Sequence, residues 1–471
     1  MESAAHVALI SSPGMGHLFP ALEFATRLST RHRLTVTVFI VPSRSSSAEN
    51  KVIAAAQAAG LFTVVELPPA DMSDVTESSV VGRLAITMRR HVPILRSAVS
   101  AMTSPPSVLI ADIFSIESFA VADEFDMKKY AFVASNAWFL AVMVYAQVWD
   151  REIVGQYVDQ KEPLQIPGCE SVRPCDVIDP LLDRTEQQYF EILKLGMGIA
   201  SSDGVLVNTW DELQDRTLAS LNDRNLLGKI SPPVYSIGPI VRQPGSKKGG
   251  SSELFNWLSK QPSESVIYVS FGSGGTLSFE QMTEVAHGLE MSRQRFVWVV
   301  RAPKVRSDGA FFTTGDESEE QSLAKFLPEG FLERTSEVGF VVSMWADQTA
   351  VLGSPAVGGF FSHSGWNSAL ESITNGVPMV VWPLYAEQRM NATMLTEEIG
   401  VGVRSKELPT NALIEREEIA AMVRKIMVEE DDEGKAIRAK AKELQRSAAK
   451  ALGEGGSSHH NFARVVKLFG C

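Results

Sequence analysis

One stretch of the chain, Trp345–Gln388, constrains its fold more than any other. It holds two short apolar runs, Ala356–Phe361 and Val377–Trp382, whose length and content are typical of strands. Between the runs lie a Gly/Ser/Asn turn and a helical stretch, Ser368–Thr374. A strand, a turn, a helix and a second strand form a βαβ unit, which favours a parallel sheet covered by helices.

The turn before this helix has the chemistry of an anion site. In open α/β sheets, ligands bind beyond the carboxyl ends of the strands and near helix N-termini. His363, Gly365, Trp366, Asn367 and Ser368 fall at that position. Backbone N–H groups and the positive end of the helix dipole favour an anion there, most naturally a phosphate.

Short apolar segments alternate with helical patterns along the rest of the chain, which favours a doubly wound parallel sheet in each half. The strands predicted in the first half are His6–Ser11, Thr35–Pro42, Phe62–Leu67, Ser107–Ala111, Tyr130–Ala134, Gly204–Val207 and Val234–Ile237. Those predicted in the second half are Val266–Phe271, Phe296–Arg301, Gly339–Ser343, Val357–Phe361, Met379–Trp382 and Gly400–Val403. The clearest helical patterns are Val80–Ser100, Ser115–Glu124, Glu415–Val428 and Lys435–Leu452.

Length and one polar stretch predict the domain organisation. A chain of 471 residues is too long for one ordinary core and fits two domains. Residues 243–252 (QPGSKKGGSS) lack periodicity and are predicted to be the linker. We therefore expect an N-terminal domain over 1–242 and a C-terminal domain over 253–452. Residues 453–471 are expected to form a C-terminal helix that packs back on the first domain.

The composition excludes several classes of partner. A net charge of −12 argues against nucleic acid, because no basic field would neutralise its backbone. The cysteines are few and odd in number, which indicates a reducing compartment without a disulfide framework. No run approaches the roughly 18 apolar residues of a membrane helix, and the N-terminus lacks the basic region of a signal peptide. These features predict a cytosolic protein without an integral membrane segment.

The loop after the first predicted strand, SPGMGH, contains Gly14 and Gly16, which allow a tight strand-to-helix turn. It matches a dinucleotide fingerprint only weakly. Phe19 stands where the third glycine is expected, and no acidic residue ends the second strand to bind a ribose. A dehydrogenase is therefore disfavoured, and a plain tight turn is the alternative interpretation.

Several motifs together resemble one known family. Trp345–Gln388 resembles the 44-residue signature box of plant secondary-product glycosyltransferases, the family 1 UDP-glycosyltransferases. PGMGH, the Asp112 region, FGSGGT at Phe271–Thr276 and GGSS at Gly455–Ser458 also fall where the family has them, so the resemblance covers the whole chain. Within the family, PGMGHLFP, VSFGSGGTLS and WPLYAEQ resemble the hydroquinone, monolignol and indoxyl glucosyltransferases.

The resemblance implies a GT-B architecture, in which two Rossmann-like α/β domains with doubly wound parallel sheets face each other across a cleft. The family binds the acceptor on the N-terminal side and the UDP-sugar on the C-terminal side. The expected activity is inverting O-glucosyl transfer from UDP-glucose to a small aromatic hydroxyl of the hydroquinone, phenylpropanoid or indoxyl type. UDP-glucose is then a co-substrate, no cofactor or metal is expected, and the protein is expected to be a monomer.

The resemblance also assigns a catalytic pair. A phenol, with a pKa of about 10, is a weak nucleophile until a positioned base takes its proton. His17 matches the family's catalytic histidine and is predicted to lie on the loop after the first strand. Asp112, directly after Ser107–Ala111, matches the aspartate that orients it. The alternatives are a solvated His17, a helix N-cap role for Asp112, and Glu117 as the partner carboxylate.

For the donor, the resemblance implies that Trp345 stacks on uracil and that Ala346 and Gln348 contact the uracil and ribose. Glu371 would accept both ribose hydroxyl donors, since charged acceptors make the stronger hydrogen bonds. The alternatives are a core tryptophan and a solvated glutamate. The diphosphate contacts implied by the family are His363, Asn367, Ser368, the amide of Trp366 and, from FGSGGT, Ser273. The sugar contacts implied are Glu387 and Gln388, and Tyr385 is a further donor-binding candidate.

Apolar side chains of the N-terminal half are candidates for the acceptor pocket. A high share of them are aromatic, which suits a flat, apolar acceptor with one hydroxyl. Core packing is the alternative for each. These candidates are Phe114, Trp138, Phe139, Ile178, Leu182 and Met197.

Three positions depart from the family pattern. Asp347 stands where proline is usual, Ser354 replaces a usual histidine, and Ser364 replaces a usual cysteine. The Ser364 change is nearly isosteric, and we expect little effect from it. Asp347 adds a negative charge beside the expected nucleotide and is predicted to weaken donor binding unless it points to solvent.

Two other classes of function remain open at this point. One is a UDP-sugar-binding protein without catalytic activity, against which the intact His17 and Asp112 pair argues. The other is a UDP-sugar epimerase, or a retaining transferase, of similar architecture. An epimerase would release the free sugar epimer, whereas a retaining enzyme would make an α-linked product.

Overall fold

The computed structural model describes residues 5–43, 46–77, 79–242, 252–304, 325–428 and 431–470. These residues divide into two compact units. The first lies within Met1–Arg44, Ala48–Val241 and Lys450–Cys471, and the second lies within Ser45–Ser47 and Arg242–Ala449. All but the last residue of the predicted linker lies outside the described residues.

The first unit is built on a parallel sheet. Its strands are β1 (His6–Ser11), β2 (Thr35–Ile40), β3 (Thr63–Glu66), β4 (Val108–Asp112), β5 (Lys128–Val133), β6 (Gly204–Val207) and β7 (Val234–Ser236). Within the described residues they pair in the order β3-β2-β1-β4-β5-β6-β7, and every pairing is parallel. The chain runs outward from β1 to β3 and then crosses back to β4, so the strand order reverses between β1 and β4.

Helices cover this sheet because their apolar residues recur at helical spacing. In α1, for example, Leu18, Leu22, Ala25 and Leu28 are all buried in one core cluster. The helices of this part of the chain are α1 (Met15–His32), α2 (Ser47–Ala59), α3 (Val80–Ser100), α4 (Phe119–Glu124), α5 (Ala137–Glu152), α6 (Gln187–Ala200) and α7 (Asp215–Asn222).

The second unit repeats this plan. Its strands are β8 (Val266–Ser270), β9 (Arg295–Val300), β10 (Gly339–Ser343), β11 (Val357–Ser362), β12 (Met379–Val381) and β13 (Gly402–Arg404). Among the described residues they form a parallel sheet in the order β10-β9-β8-β11-β12-β13, and this order reverses between β8 and β11. The helices are α8 (Ser252–Leu258), α9 (Phe279–Ser292), α10 (Phe331–Thr335), α11 (Gln348–Leu352), α12 (Trp366–Asn375), α13 (Gln388–Thr393), α14 (Arg416–Met427) and α15 (Asp432–Leu452).

The last helix, α16 (Ser457–Leu468), packs on the core of the first unit. The ring of Phe462 lies 5.5 Å from that of Phe24, and Phe469, which follows the helix, lies 5.0 Å from Tyr130. All four side chains are buried in one cluster. Burying a phenylalanine side chain contributes about 1.5–3 kcal/mol, so the end of the chain contributes substantially to the stability of the first unit.

The predicted doubly wound parallel sheets are confirmed, while several predicted boundaries were wrong, three of them around His17 and Asp112. α1 begins at Met15, so His17 lies in the first helical turn and not on the loop as predicted. Asp112 is the last residue of β4 and does not follow the strand. The helix predicted over Ser115–Glu124 begins as a 3₁₀ turn, Ile113–Ser118, which tightens the exit from β4 before α4 starts.

Candidate active site

Each reversal of strand order brings two strand ends together. Ile10 of β1 pairs with Ala111 of β4, so both chains leave the sheet at one place. In the second unit, Ser270 of β8 pairs directly with Ser362 of β11. Neighbouring strands lie about 4.8 Å apart, so side chains just beyond these ends can reach one another. Such reversals are where open α/β sheets bind ligands.

At the first reversal, the Asp112 carboxylate is the centre of a buried hydrogen-bond cluster. Its Oδ1 lies 2.9 Å from Nδ1 of His17, and its Oδ2 accepts the Ser12 hydroxyl at 2.5 Å. The side chain of Asp112 is 2% exposed and that of His17 is 18% exposed. When Nδ1 donates to the carboxylate, the ring lone pair is on Nε2. The cluster therefore holds His17 in the tautomer that can accept a proton at Nε2.

Asp112 caps a helical turn and also bonds to His17, so the two interpretations of this residue hold together. Oδ2 of Asp112 also accepts the backbone N–H of Phe114 at 3.3 Å, which caps the 3₁₀ turn. The Phe114 ring lies edge-on to the His17 ring, with 5.2 Å between centroids. Glu117 is instead paired with Arg89, whose Nε lies 2.8 Å from its carboxylate. The structure thus brings Asp112 to His17 and pairs Glu117 with a different residue.

At the second reversal, the imidazole of His363 is buried between two glycines. A Cβ atom added to either Gly272 or Gly365 would lie 2.5 Å from the ring. Burial, and then the charge of Arg301, lower the pKa of His363 to about 4. The ring is therefore neutral near pH 7, and within the described residues its Nδ1 has no hydrogen-bond partner. A neutral imidazole can donate one hydrogen bond to an anion without carrying a charge.

Replacing Gly272 by alanine is expected to destabilise the second unit for two reasons. Its φ of 77° is in the left-handed region, which costs an alanine about 1–2 kcal/mol, and the new methyl group would collide with His363. Gly400→Ala is the matched control, because Gly400 has a φ of 75° and no atom within 4 Å of an added Cβ. Thermal unfolding should show a larger fall in Tm for Gly272→Ala. An equal fall in Tm for the two variants would mean that the His363 ring can move away from the added methyl group.

Three residues predicted for the donor site form one hydrogen-bonded group at α12. The amide of Gln348 donates to Oγ of Ser368 at 2.9 Å and to Oε2 of Glu371 at 2.6 Å. Loss of water around the half-buried Glu371 raises its pKa to about 7, against the opposing effects of Gln348 and the Arg242 charge. The N-cap residue of α12 is Gly365, so no N-cap side chain occupies this helix terminus.

Trp345 is 39% exposed, so it is not the core tryptophan considered as its alternative. The guanidinium of Arg242 lies 5.2 Å from the centroid of its ring, within the range of a cation–π contact. The neighbouring Ala346 is buried. An exposed aromatic face beside the group formed by Gln348, Ser368 and Glu371 has the shape needed to stack a planar base.

Asp347 does not point to solvent. Its side chain is 4% exposed and accepts the backbone N–H of Ala350 at 3.3 Å, so it caps α11. Ser354 accepts the N–H of Ala356 at 3.4 Å near the end of the same helix. At Ser364 the backbone has a φ of 59°. Two of the three departures, Asp347 and Ser354, thus accept hydrogen bonds from nearby backbone N–H groups.

The loop that follows β12 is hydrogen-bonded to the turn that precedes α12. Oε1 of Gln388 accepts the N–H groups of Leu384 and Tyr385 at 2.9 and 3.2 Å, which leaves its amide nitrogen as the donor group. The Ser364 hydroxyl lies 3.2 Å from the carbonyl oxygen of Gln388. Glu387 is half-buried at the start of α13. These contacts join the ends of β11 and β12 into one surface.

The acceptor candidates are spread over several environments. Phe114 contacts the His17 ring, as described above. Trp138 is 2% exposed and its indole N–H donates to the Glu170 carbonyl at 3.1 Å, which is the behaviour of a core residue. Phe139 and Ile178 are buried, Leu182 is half-buried, and Met197 is 50% exposed on α6.

Sequence reasoning missed three polar residues at the two reversals. Ser12 binds Asp112, Arg242 lies over Trp345, and Nη1 of Arg301 donates to the carbonyl oxygen of Ser273. Ser12 directly follows a predicted strand and Arg301 is the last residue of another, and these positions were the available signal. Nothing in the sequence around Arg242 indicated its contact.

In the described parts of the chain, no group of three or more His, Cys, Asp or Glu side chains could hold a metal ion. Within the same parts of the chain, no helix has the length and apolar character needed to span a membrane. Cys169 is buried and Cys175 is exposed, and neither forms a disulfide bond in the structure.

Known proteins match this chain over nearly its whole length. Residues 229–427 match the family model for UDP-glucoronosyl and UDP-glucosyl transferase. Anthocyanidin 3-O-glucosyltransferase 5 of Manihot esculenta is 51% identical, over 97% of this chain and 94% of that protein. Hydroquinone glucosyltransferase of Rauvolfia serpentina is 41% identical, over 99% of this chain and 98% of that protein.

Solved structures match as well. TcCGT1 in complex with UDP is 46% identical, with a TM-score of 0.93 over 99% of both chains. A UDP-glucosyltransferase from Polygonum tinctorium capable of glucosylating indoxyl, in complex with 3,4-dichloroaniline, is 35% identical, with a TM-score of 0.89 over 100% of both chains. These matches confirm the predicted GT-B fold class.

Proposed function

This chain belongs to the plant family 1 UDP-glycosyltransferases, and on that premise we propose that it transfers glucose from UDP-glucose to the hydroxyl of a small aromatic acceptor, with inversion at the anomeric carbon. The observation that carries the proposal is the buried Asp112 carboxylate, 2.9 Å from Nδ1 of His17. Such a pair supplies a general base whose Nε2 can take a hydroxyl proton.

In the proposed reaction, Nε2 of His17 takes the acceptor proton while the acceptor oxygen attacks C1 of glucose. The new oxygen–C1 bond forms as the bond between C1 and the β-phosphate oxygen breaks, and UDP leaves with that electron pair. Attack from the face opposite UDP converts the α-linked donor into a β-glucoside. Asp112 stabilises the imidazolium that forms, as the carboxylate does in a catalytic triad.

The leaving group develops negative charge on the diphosphate. The N-terminus of α12 and the neutral His363 would donate hydrogen bonds to it, and such preorganised donors lower the barrier for charge development. The hydrogen bond from Arg301 to the Ser273 carbonyl supports a fixed position for the loop Phe271–Thr276. Trp345 and the group formed by Gln348, Ser368 and Glu371 would hold the uridine part.

The acceptor class is proposed from two sources. Phe114 presents an aromatic edge beside His17, which suits a flat ring next to the base. Relatives over nearly the full length are named for anthocyanidin and hydroquinone acceptors, and one solved relative is described as capable of glucosylating indoxyl. We therefore favour hydroquinone-, phenylpropanoid- or indoxyl-type hydroxyls.

A product assay tests this proposal. The protein is incubated with UDP-glucose and a panel of hydroquinone, a hydroxylated phenylpropanoid and indoxyl, and products are identified by mass and by the NMR coupling of the anomeric proton. The expected result is a monoglucoside with a β linkage. UDP binding without any glucoside would favour the non-catalytic alternative, whereas a free sugar epimer or an α-linked product would favour the epimerase or retaining alternatives. UDP-galactose, offered in parallel, tests the preference for glucose.

The pH dependence of uridine binding should report Glu371. With its pKa raised to about 7, Glu371 is protonated below pH 7 and must ionise to accept both ribose hydroxyls. We therefore expect the affinity to rise by about tenfold per pH unit as the pH increases towards 7 and to level off above it. Titration calorimetry with uridine, which has no phosphate of its own to titrate, measures this. In Glu371→Gln the uridine affinity should not change with pH. A pH-independent affinity in the unmodified protein would contradict the proposed contact of Glu371 with the ribose.

A further inference from the structure

A buried carboxylate near the start of α1 has no role in the reaction described so far. Glu49, on α2, is 2% exposed. Its Oε1 accepts the backbone N–H of Gly14 at 2.9 Å, and its Oε2 accepts the backbone N–H of Ser43 at 3.0 Å. A buried carboxylate is costly unless each oxygen is hydrogen-bonded. Both oxygens of Glu49 are hydrogen-bonded to backbone amides, one of them directly before α1.

Gly14 connects Glu49 to His17 through the backbone. Its φ of 104° and ψ of 136° lie outside the regions that residues with a Cβ adopt readily. In this conformation its N–H meets Glu49, while its carbonyl oxygen accepts the N–H groups of His17 and Leu18, both at 3.0 Å. The position at which α1 begins, and with it the position of His17, therefore depends on the peptide that Glu49 holds.

We propose that Glu49 is a positioning residue, which fixes the Pro13–Gly14 loop and thereby the distance and angle at which His17 meets the acceptor hydroxyl. The inference rests on the proposed role of His17 as the base. Glu49 contacts no substrate in this proposal. Its negative charge also lies at the N-terminus of α1, where the helix dipole favours an anion, so the carboxylate suits this place better than a neutral side chain does.

A double-mutant cycle separates this role from general stabilisation. Glu49→Ala, His17→Ala and the double variant are compared with a phenol of intermediate acidity as acceptor, because such a phenol still depends on the base but leaves measurable activity in all of them. Glu49→Ala alone is expected to lower kcat by about 10- to 100-fold, the range expected for a small misplacement of a catalytic group. In the His17→Ala background it is expected to cause no further loss, because the group that it positions is gone.

Two further variants control the cycle. Asn222→Ala also removes bonds from a side chain to the backbone of the first unit, because Asn222 accepts the N–H of Val234 at 3.0 Å and donates to the carbonyls of Val234 and Leu218, both at 3.1 Å. Val234 begins β7, which lies four strands from β1. The Asn222→Ala variant should leave kcat within about twofold, in the range of ordinary substitutions away from a site. Glu49→Gln keeps the size and one accepting oxygen, so its kcat should lie between those of the unmodified protein and Glu49→Ala, and it replaces the alanine variant in the cycle if that variant does not fold.

The outcomes distinguish the two proposals. Calorimetry should give the same UDP affinity for Glu49→Ala as for the unmodified protein, because the residues assigned to UDP belong to the second unit. An equal loss of kcat in both backgrounds, or no loss in either, would overturn the positioning role of Glu49 while leaving the function of His17 intact. Full activity of His17→Ala would instead overturn the proposed base, and the inference about Glu49 with it.

Discussion

Replacing His17 by alanine is expected to lower kcat/KM for a phenol acceptor by about 10²- to 10⁴-fold, the contribution typical of a positioned general base. The loss should depend on the acceptor. A phenol with a pKa of about 10 is almost entirely protonated at neutral pH and needs the base, whereas a chlorinated or nitrated phenol ionises more readily. Steady-state rates across a series of phenols of decreasing pKa should therefore show a progressively smaller difference between the variant and the unmodified protein.

His6→Ala is the matched control for this experiment. His6 begins β1, the strand whose other end leads to His17, and its ring bonds to the Ser104 carbonyl and the Thr37 hydroxyl, both at 2.9 Å. The His6→Ala variant should keep nearly full activity, and UDP affinity should be unchanged in both His6→Ala and His17→Ala. A loss that is the same for every phenol, or as large in His6→Ala, would mean that His17 supports the fold and does not remove the proton.

Asp112→Asn is expected to lower kcat by about the same factor as His17→Ala, although the substitution leaves the size of the side chain unchanged. Three donors converge on this carboxylate, from Ser12, His17 and the backbone of Phe114. An asparagine has one accepting oxygen, and its NH₂ group would face at least one of these donors. His17 would lose the bond that fixes its tautomer, and in a serine-protease triad this change alone lowers kcat by about 10⁴-fold. Steady-state kinetics with a weakly acidic phenol should show the fall in kcat with little change in the KM for UDP-glucose.

Glu117→Gln tests the competing assignment in the same assay. Glu117 is only five positions along the chain from Asp112, yet it is paired with Arg89, which also binds Glu191. Its substitution should weaken an ion-pair network and leave kcat within a few-fold of the unmodified value. If Glu117→Gln were as damaging as Asp112→Asn, the partner of His17 would have to be reassigned.

The sequence predicted the sheets better than the contacts within the site. Strands such as His6–Ser11 and Gly204–Val207 were predicted to the residue, because apolar runs bounded by turn residues are a local signal. Topology then places strand ends together, which is why Asp112 could be expected near His17. The start of α1 was misplaced because Gly14 and Gly16 suggested a tight turn, yet Gly16 lies inside the helix.

Hydrogen bonds between a side chain and a distant backbone group had no comparable signal. Glu49 and Gly14 are 35 positions apart, and Arg301 and Ser273 are 28 apart, so neither pair follows any periodic pattern. The orientation of Asp347 was also beyond the sequence. The fold buries its carboxylate as the cap of a short helix, and its predicted effect on donor binding stays a prediction. Such contacts are decided by tertiary packing, which single-residue preferences do not encode.

The contacts of α16 also have a consequence for biosynthesis. Phe462, Val465 and Phe469 complete the hydrophobic core of the first unit, yet they are translated after the whole second unit. Domains generally begin to fold in the order of their synthesis, but here the ribosome must deliver nearly the entire polypeptide before the earlier unit can close its core. Until α16 is made, the nascent first unit would expose the apolar surface that Phe462, Val465 and Phe469 cover in the complete fold.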